Sequence, residues 1–324
     1  MMNTSNAPTK KNNMLNKTKK NNILNKTKKN IKLNKTKKNI KLKKLKCSPK
    51  PSYSKNKFTC YTNNALFKLK DLWNAKHPDL KINSNIPSEI HSKLREYLGN
   101  VCNTESCWIK QKKHFGNNVY NDLIRSFAPK MPEEWKKNPN EWLSSVEIMD
   151  VMKQYERAYK CFKFIGPSPI DFDTKLKDNT CVRDELCNLS IKKQIKNGKT
   201  KIGIIFNTDT HDGEGEHWIS LFINIKTKTI FFFDSAGDKP PPEVDVLVNR
   251  IKDQGIKLTP KINFKYDSNE GIEHQYGDSE CGVYSLYFII HLLEDKFTTN
   301  YLKTHILKDK YMEKFRKIYF NKTL

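Results

Sequence analysis

Four residues in the C-terminal half of the chain have the types and the order needed for catalysis by a thiol. His217 is followed 17 residues later by Asp234, and Gln275 lies six residues before Cys281. A nucleophilic thiol needs a base, a group that orients the base and donors for an oxyanion. Cys281 would be the nucleophile and His217 the base. Asp234 would orient the imidazole, while the Gln275 amide and the Cys281 main-chain N–H would face the oxyanion.

The nucleophile lies where a polar turn enters an apolar helix. Almost every residue from 283 to 293 is apolar, which predicts a helix surrounded by protein. Cys281 falls in its first turn, where the helix dipole stabilises a thiolate. Asp278 or Ser279 is expected to cap the helix, and Gly282 would let a substrate backbone approach the sulfur. A single cysteine in such a helix is more often an ordinary core residue, so the interpretation depends on the other three residues.

The base and its carboxylate should be positioned by strands. Alternating apolar residues predict strands over 201–206, 217–225, 229–234 and 261–266. The second and third form a hairpin, which brings Asp234 beside His217. Periodicity predicts helices over 142–159 and 242–254, and the prolines of 166–173 indicate a loop. Helices, then strands, then helices predict an α+β domain.

Composition divides the chain into three parts. Residues 1–57 contain 19 of the lysines and no acidic residue, although the net charge of the whole chain is +25. This part is predicted to be a disordered basic tail. Residues 58–137 are predicted to form a helical accessory region, with a helix over 88–98. Residues 138–324 are predicted to form the catalytic domain.

The tail repeats the motif LNKTKKN with a period of nine residues from Leu15, Leu24 and Leu33. Clustered lysines suit binding to phosphates through counterion release. A nuclear-import signal and a repeat expansion without function are equally compatible with this pattern. The nucleic-acid interpretation assigns the contacts to the paired lysines Lys19, Lys20, Lys28, Lys29, Lys37 and Lys38.

The eight cysteines are expected to be reduced, because the sequence shows no signal peptide and no membrane-spanning run. The Cys102/Cys107 and Cys181/Cys187 pairs are the only metal-like spacings, and neither has the two-residue gap of zinc knuckles. We therefore expect buried thiols, no metal and no cofactor.

The sequence resembles the ubiquitin-like-protein (SUMO) protease family, a papain-like group that includes the adenovirus protease. The resemblance rests on His217-Trp218, Asp234-Ser235, Gln275 and Cys281-Gly282, and covers residues 142–294. The segments 141–155, 164–173 and 232–244 are similar to the core-protein proteases of large cytoplasmic DNA viruses. The resemblance implies a papain-like cysteine protease fold, with a central mixed sheet and a buried helix carrying the nucleophile. It also implies the four catalytic roles, with Trp218 and Gly282 beside the substrate.

That family commonly cleaves after Gly-Gly, so the expected activity is a cysteine endopeptidase that processes viral structural precursors. A deconjugase for SUMO or another ubiquitin-like modifier is the alternative within enzymes. A third interpretation is an inactive protease fold that tethers core proteins to nucleic acid through the tail. The endopeptidase interpretation predicts a location in the virion or a cytoplasmic assembly site, and a nuclear location is the alternative.

Overall fold

A five-stranded mixed sheet lies at the centre of the computed structural model, which describes residues 42–50 and 56–324. The strands follow the order β1-β2-β3-β4-β5 across the sheet. The three central strands are antiparallel, while β1 and β5 each run parallel to their neighbour. Their bounds are β1 Phe162–Pro169, β2 Lys201–Asn207, β3 Trp218–Asn224, β4 Thr229–Phe233 and β5 Lys265–Ser268. The predicted α+β class with a mixed sheet is confirmed.

Helices cover both faces of this sheet. In the described residues the helices are α1 Asn63–Lys76, α2 Pro87–Leu98, α3 Glu105–Trp108, α4 Lys112–Phe115, α5 Val119–Leu123, α6 Ser145–Ala158, α7 Asp184–Cys187, α8 Ile191–Lys196, α9 Pro242–Ile256, α10 Cys281–Leu293, α11 Thr299–Thr304 and α12 Asp309–Tyr319. Every residue of α10 is buried, in a core shared with α6 and α12. Helix α9 belongs to the core on the opposite face. Helix α10 is therefore held in the interior from its first residue.

The N-terminal helices build a separate hydrophobic core. It includes Leu66 and Trp73 from α1, Leu94 from α2 and Trp108 from α3. Helix α2 has apolar residues at helical spacing behind a proline at its first position, as the sequence predicted for 88–98. This core gives residues 60–127 their own apolar centre beside the catalytic sheet.

The prediction that residues 1–57 are disordered throughout is wrong for 42–50. This segment packs Leu42 and Leu45 against the N-terminal core. Its main chain pairs with Phe127, and Asn321 bonds the main chain of Lys46. The leucines of the decayed repeat thus bury apolar surface. The repeats proper, with their six paired lysines, lie outside the described residues.

Three other boundaries differ from the sequence prediction. Residues 166–173 were expected to form a loop, but β1 extends into them as far as Pro169. Strand β1 is at the edge of the sheet, where proline is tolerated because one side needs no donor. Helix α6 begins at Ser145 instead of 142, because Ser144 and Glu147 form a capping box that stops it. The last strand runs over Lys265–Ser268 instead of 261–266.

The expectation of reduced thiols is wrong for six of the eight cysteines. The disulfides are Cys47–Cys60, Cys102–Cys107 and Cys181–Cys187, while Cys161 and Cys281 are free. In each of the two pairs considered as metal ligands, the two cysteines are thus bonded to each other. Across 42–50 and 56–324, no helix combines the length and apolarity that a membrane span requires.

Candidate active site

The ends of two paired strands place His217 next to Asp234. His217 immediately precedes β3 and Asp234 immediately follows β4, and Ser220 pairs with Phe233 in the antiparallel ladder. The His217 Nε2 and Asp234 Oδ1 atoms are 2.7 Å apart. The Asp234 carboxylate is almost fully buried. The hairpin therefore brings these two side chains together, as predicted from the sequence.

Cys281 completes the group as the first residue of α10. Its sulfur lies near enough to the His217 imidazole to affect the pKa of that imidazole. Since Nε2 of the imidazole faces Asp234, Nδ1 is the nitrogen left for the sulfur. Burial lowers the pKa of His217, but hydrogen bonds to Asp234 and Cys281 and their negative charges outweigh it and raise this pKa to about 10. A cationic imidazole at neutral pH is the partner that stabilises a reactive thiolate.

The first turn of α10 has free main-chain donors beside the sulfur. The predicted cap from Asp278 or Ser279 is wrong, because the N-cap residue is Glu280 and no side chain caps the helix. The Ser279 hydroxyl instead donates to the Glu280 carboxylate. The first N–H groups of a helix lack partners within it. The uncapped amide of Cys281 is thus available to an oxyanion.

Gln275 lies in the turn before α10 with its side-chain amide fixed at both ends. Its Oε1 accepts a hydrogen bond from the Ser235 hydroxyl at 2.8 Å, and its Nε2 donates to the Gly277 carbonyl at 2.6 Å. A carbonyl can only accept, so the second bond determines which end of the amide is the nitrogen. One N–H of Nε2 remains for another acceptor. This arrangement suits an oxyanion donor.

Trp218 and Gly282 pack against each other at the base of the site. The Trp218 indole donates to the Leu143 carbonyl at 2.8 Å. A Cβ atom at position 282 would lie 2.9 Å from Leu143 Cβ and 3.3 Å from Trp218 Cδ1. Close packing of α10 on these residues already requires glycine. Room for a substrate backbone, which the sequence analysis assigned to Gly282, stays a prediction.

Asn269 is a positioning residue that the sequence analysis missed. It is fully buried, accepts a hydrogen bond from the Asp234 N–H at 2.9 Å and donates to the Asp234 carbonyl at 2.6 Å. A second donor bond reaches the Ile272 carbonyl at 3.0 Å. Its only sequence signal is an asparagine after the last strand, which by itself indicates a turn.

An open groove of about 1050 Å³ runs along the surface beside the catalytic group. Trp142, Leu143 and Trp218 line it, together with Gly213 and Gly215 of the β2–β3 loop. His217, Asp234, Gln275 and Cys281 do not line it themselves. Because Trp218 packs on Gly282, the neighbour of Cys281, the groove lies close to the catalytic group. It is large enough for several residues of an extended polypeptide.

The fold and the site together define a cysteine protease: a thiol at a helix N-terminus, beside an imidazole that a carboxylate orients. A sequence model of a protein family, described as the Ulp1 protease family, C-terminal catalytic domain, matches this chain. The match covers residues 148–323, more than half of the chain. The chain belongs to this family. The resemblance inferred from the sequence is confirmed, and so is the classification as a thiol-dependent peptidase.

Two viral proteases are among the similar proteins. A thiol protease of Acanthamoeba polyphaga mimivirus is 27% identical over 263 residues, covering 76% of this chain and 84% of the relative. A cysteine protease of African swine fever virus is 27% identical over 254 residues, covering 75% and 91%. Both alignments are longer than the catalytic domain. They therefore extend into the N-terminal region.

A crystal structure of the African swine fever virus protease has the same fold. It superimposes with a TM-score of 0.58 at 22% sequence identity, covering 87% of this chain and 97% of that one. The covered part of this chain is longer than residues 138–324, so it includes part of the N-terminal region. The fold of the N-terminal helical region, which the sequence analysis matched to nothing, is thus shared at least in part.

Proposed function

We propose that this protease is an endopeptidase that cleaves protein precursors after Gly-Gly. The observation that carries the proposal is the groove beside the catalytic group, lined by Trp142 and Trp218. Indole rings are flat and large, so they favour a backbone without side chains at the positions next to the scissile bond. The openness of the groove suits an internal segment of a polypeptide.

The proposed catalytic sequence uses the four residues in the roles inferred above. The Cys281 thiolate attacks the carbonyl carbon, and the C–N bond breaks as the His217 imidazolium gives its proton to the leaving amine. The Gln275 amide and the Cys281 N–H bind the oxyanion of the tetrahedral intermediate. His217 then takes a proton from water, which attacks the thioester carbonyl carbon. The C–S bond breaks, the acid product leaves, and the Cys281 thiolate and the His217 imidazolium are restored. Asp234 keeps the imidazole oriented throughout.

The similar proteases are viral, which suits the proposed processing of viral structural precursors. We further propose that the enzyme acts in the virion or at a cytoplasmic assembly site. Some relatives from African swine fever virus are named SUMO-1 cysteine proteases, which favours release of a ubiquitin-like modifier as the second candidate. The two candidates share the chemistry and differ in the surface that recognises the substrate.

The experiment offers two substrates to the protein and to its Cys281→Ala variant. One is an internal Gly-Gly-X peptide, and the other is a SUMO or ubiquitin C-terminal amide reporter. We expect cleavage of the internal peptide, none by Cys281→Ala, and a loss when alanine replaces either glycine. Release from the modifier alone would favour the second candidate. No cleavage of either would contradict both.

The contribution of the groove is tested separately by Trp142→Ala, with Trp142→Phe as the matched control. Trp142 is 42% exposed, which is high for an indole, and it lies in the wall of the groove. We expect the alanine variant to raise KM for the Gly-Gly peptide, and phenylalanine to restore most of the affinity. Equal KM values in all three proteins would exclude Trp142 as a substrate contact.

A further inference from the structure

The turn that carries Gln275 is held from outside by one carboxylate of the C-terminal helix. Asp309, the first residue of α12, accepts hydrogen bonds from the N–H groups of Tyr276 and Gly277 through Oδ2, both at 3.0 Å. Its other oxygen, Oδ1, bonds the Tyr284 hydroxyl at 2.9 Å. Asp309 therefore contacts both the turn before α10 and α10 itself.

Gly277 links this carboxylate to the Gln275 side chain. Its N–H donates to Asp309, and its carbonyl accepts the hydrogen bond from Gln275 Nε2. A Cβ atom there would lie 2.9 Å from Glu280 Oε2 and 3.6 Å from Asp309 Oδ2, so a side chain at this position would displace the Glu280 carboxylate. Displacement of the Gly277 main chain would change where the remaining N–H of Gln275 points.

We propose that Asp309 is a positioning residue for the oxyanion hole, acting through Gly277 on the Gln275 amide. The inference rests on Gln275 being an oxyanion donor, as in the proposed function. Donors to an oxyanion act by preorganisation, so a misplacement of about 1 Å can cost roughly 100-fold in rate. Asp309 supplies this preorganisation without touching the substrate.

Helix α12 is a rigid support for this contact. Its residues Met312, Phe315 and Tyr319 are buried in the core that surrounds α10. Arg316 of the same helix donates to the Ser279 carbonyl at 2.7 Å, at the other end of the turn. The turn is thus held at two points by one helix, and Asp309 is the point next to Gln275.

The test compares Asp309→Ala with Asp309→Asn. Alanine removes all three hydrogen bonds, whereas asparagine keeps a carbonyl oxygen for the two N–H donors and an amide that can donate to the Tyr284 hydroxyl. We expect Asp309→Ala to lower kcat by about 10- to 100-fold with KM little changed, and Asp309→Asn to recover most of kcat. Activity is measured on the peptide or reporter that the wild-type protein cleaves.

Two inhibitors distinguish a positioning role from a general loss of structure. A peptide aldehyde forms a hemithioacetal whose oxygen occupies the oxyanion position, so its affinity should fall with kcat in Asp309→Ala. Alkylation of Cys281 by iodoacetamide needs the thiolate and no oxyanion, so its rate should stay within about twofold. Loss of both responses together would mean that the variant merely disrupts the site, and would overturn the proposal.

Gln275→Ala separates failure of this inference from failure of the proposed role. If Gln275→Ala loses kcat and Asp309→Ala does not, Asp309 is not the positioning residue and Gln275 remains the donor. If Gln275→Ala keeps kcat, the proposed oxyanion role itself is wrong. Asp267→Ala is the matched control. Asp267 is also a carboxylate that links two elements, since it accepts hydrogen bonds from Lys303 of α11. It should leave kcat unchanged.

Discussion

The Asn269 side chain hydrogen bonds to both main-chain polar groups of Asp234. The Asn269 side chain accepts from the Asp234 N–H and donates to the Asp234 carbonyl. This reciprocal pair of hydrogen bonds fixes the end of β4. The Asp234 carboxylate, which orients His217, projects from the main chain at that point. Placement of the His217 imidazole thus depends, through Asp234, on a buried amide 35 residues away from Asp234 in sequence.

Asn269→Ala should lower both activity and stability. It leaves the buried N–H of Asp234 without a partner, which costs about 1–3 kcal/mol. The Asp234 carbonyl loses one of its two hydrogen bonds and keeps the one from the Gly237 N–H at 3.1 Å. We expect kcat/KM for the cleaved peptide to fall and the urea midpoint to drop.

Asn321→Ala is the matched control for this substitution. Asn321 is also buried, and its side chain makes three hydrogen bonds to main-chain groups of Lys46 and Ala128. None of these involves the catalytic group. A similar loss of stability with kcat retained is expected, and an equal loss of kcat in both variants would contradict the role of Asn269.

The contrast between Asp234 and Asn269 shows what a single sequence can predict. Asp234 and His217 are placed by a short hairpin whose alternation is visible in the sequence, and Cys281 by an apolar helix. Asn269 has no such pattern, since its function arises only when a distant strand end folds onto it. Strand β1 was missed for a related reason: its prolines are acceptable only at a sheet edge, and the sequence does not show which strand is outermost.

Ser235→Ala should reduce turnover by releasing Gln275. The Ser235 hydroxyl donates to Gln275 Oε1 in a buried position, so its removal lets the amide rotate. Gln275→Ala should lower kcat by about 100- to 1000-fold, the range for one lost oxyanion donor, and Ser235→Ala by less. In a double-mutant cycle, Ser235→Ala should cost nothing further once Gln275 is alanine. Additive losses would show that Ser235 acts independently of Gln275.

Stability should depend on pH through His217. Its pKa is raised from 6.5 to about 10 in the folded protein, so folding favours the protonated imidazole. The resulting stabilisation is complete below about pH 6.5 and is lost as the pH rises towards 10. We expect the difference in unfolding free energy between the wild type and His217→Gln to narrow over this range, as measured by urea denaturation. A difference that widened with pH would mean that His217 is neutral in the folded site.

Deletion of residues 1–41 should separate the basic repeats from catalysis. The segment 42–50 is retained because it packs on the N-terminal core. We propose that the repeats bind nucleic acid, so the deletion should weaken binding to duplex DNA and reduce its salt dependence, while peptide cleavage stays unchanged. Fluorescence anisotropy at several salt concentrations measures both quantities.

Replacement of lysine by glutamine at six positions in the full-length chain is the matched variant, because it removes charge without shortening the chain. The positions are Lys19, Lys20, Lys28, Lys29, Lys37 and Lys38. The slope of log K against log salt should become shallower by about 0.9 for each phosphate that the variant no longer neutralises. Unchanged affinity and slope in both variants would exclude a nucleic-acid role and leave a targeting signal or a neutral repeat expansion.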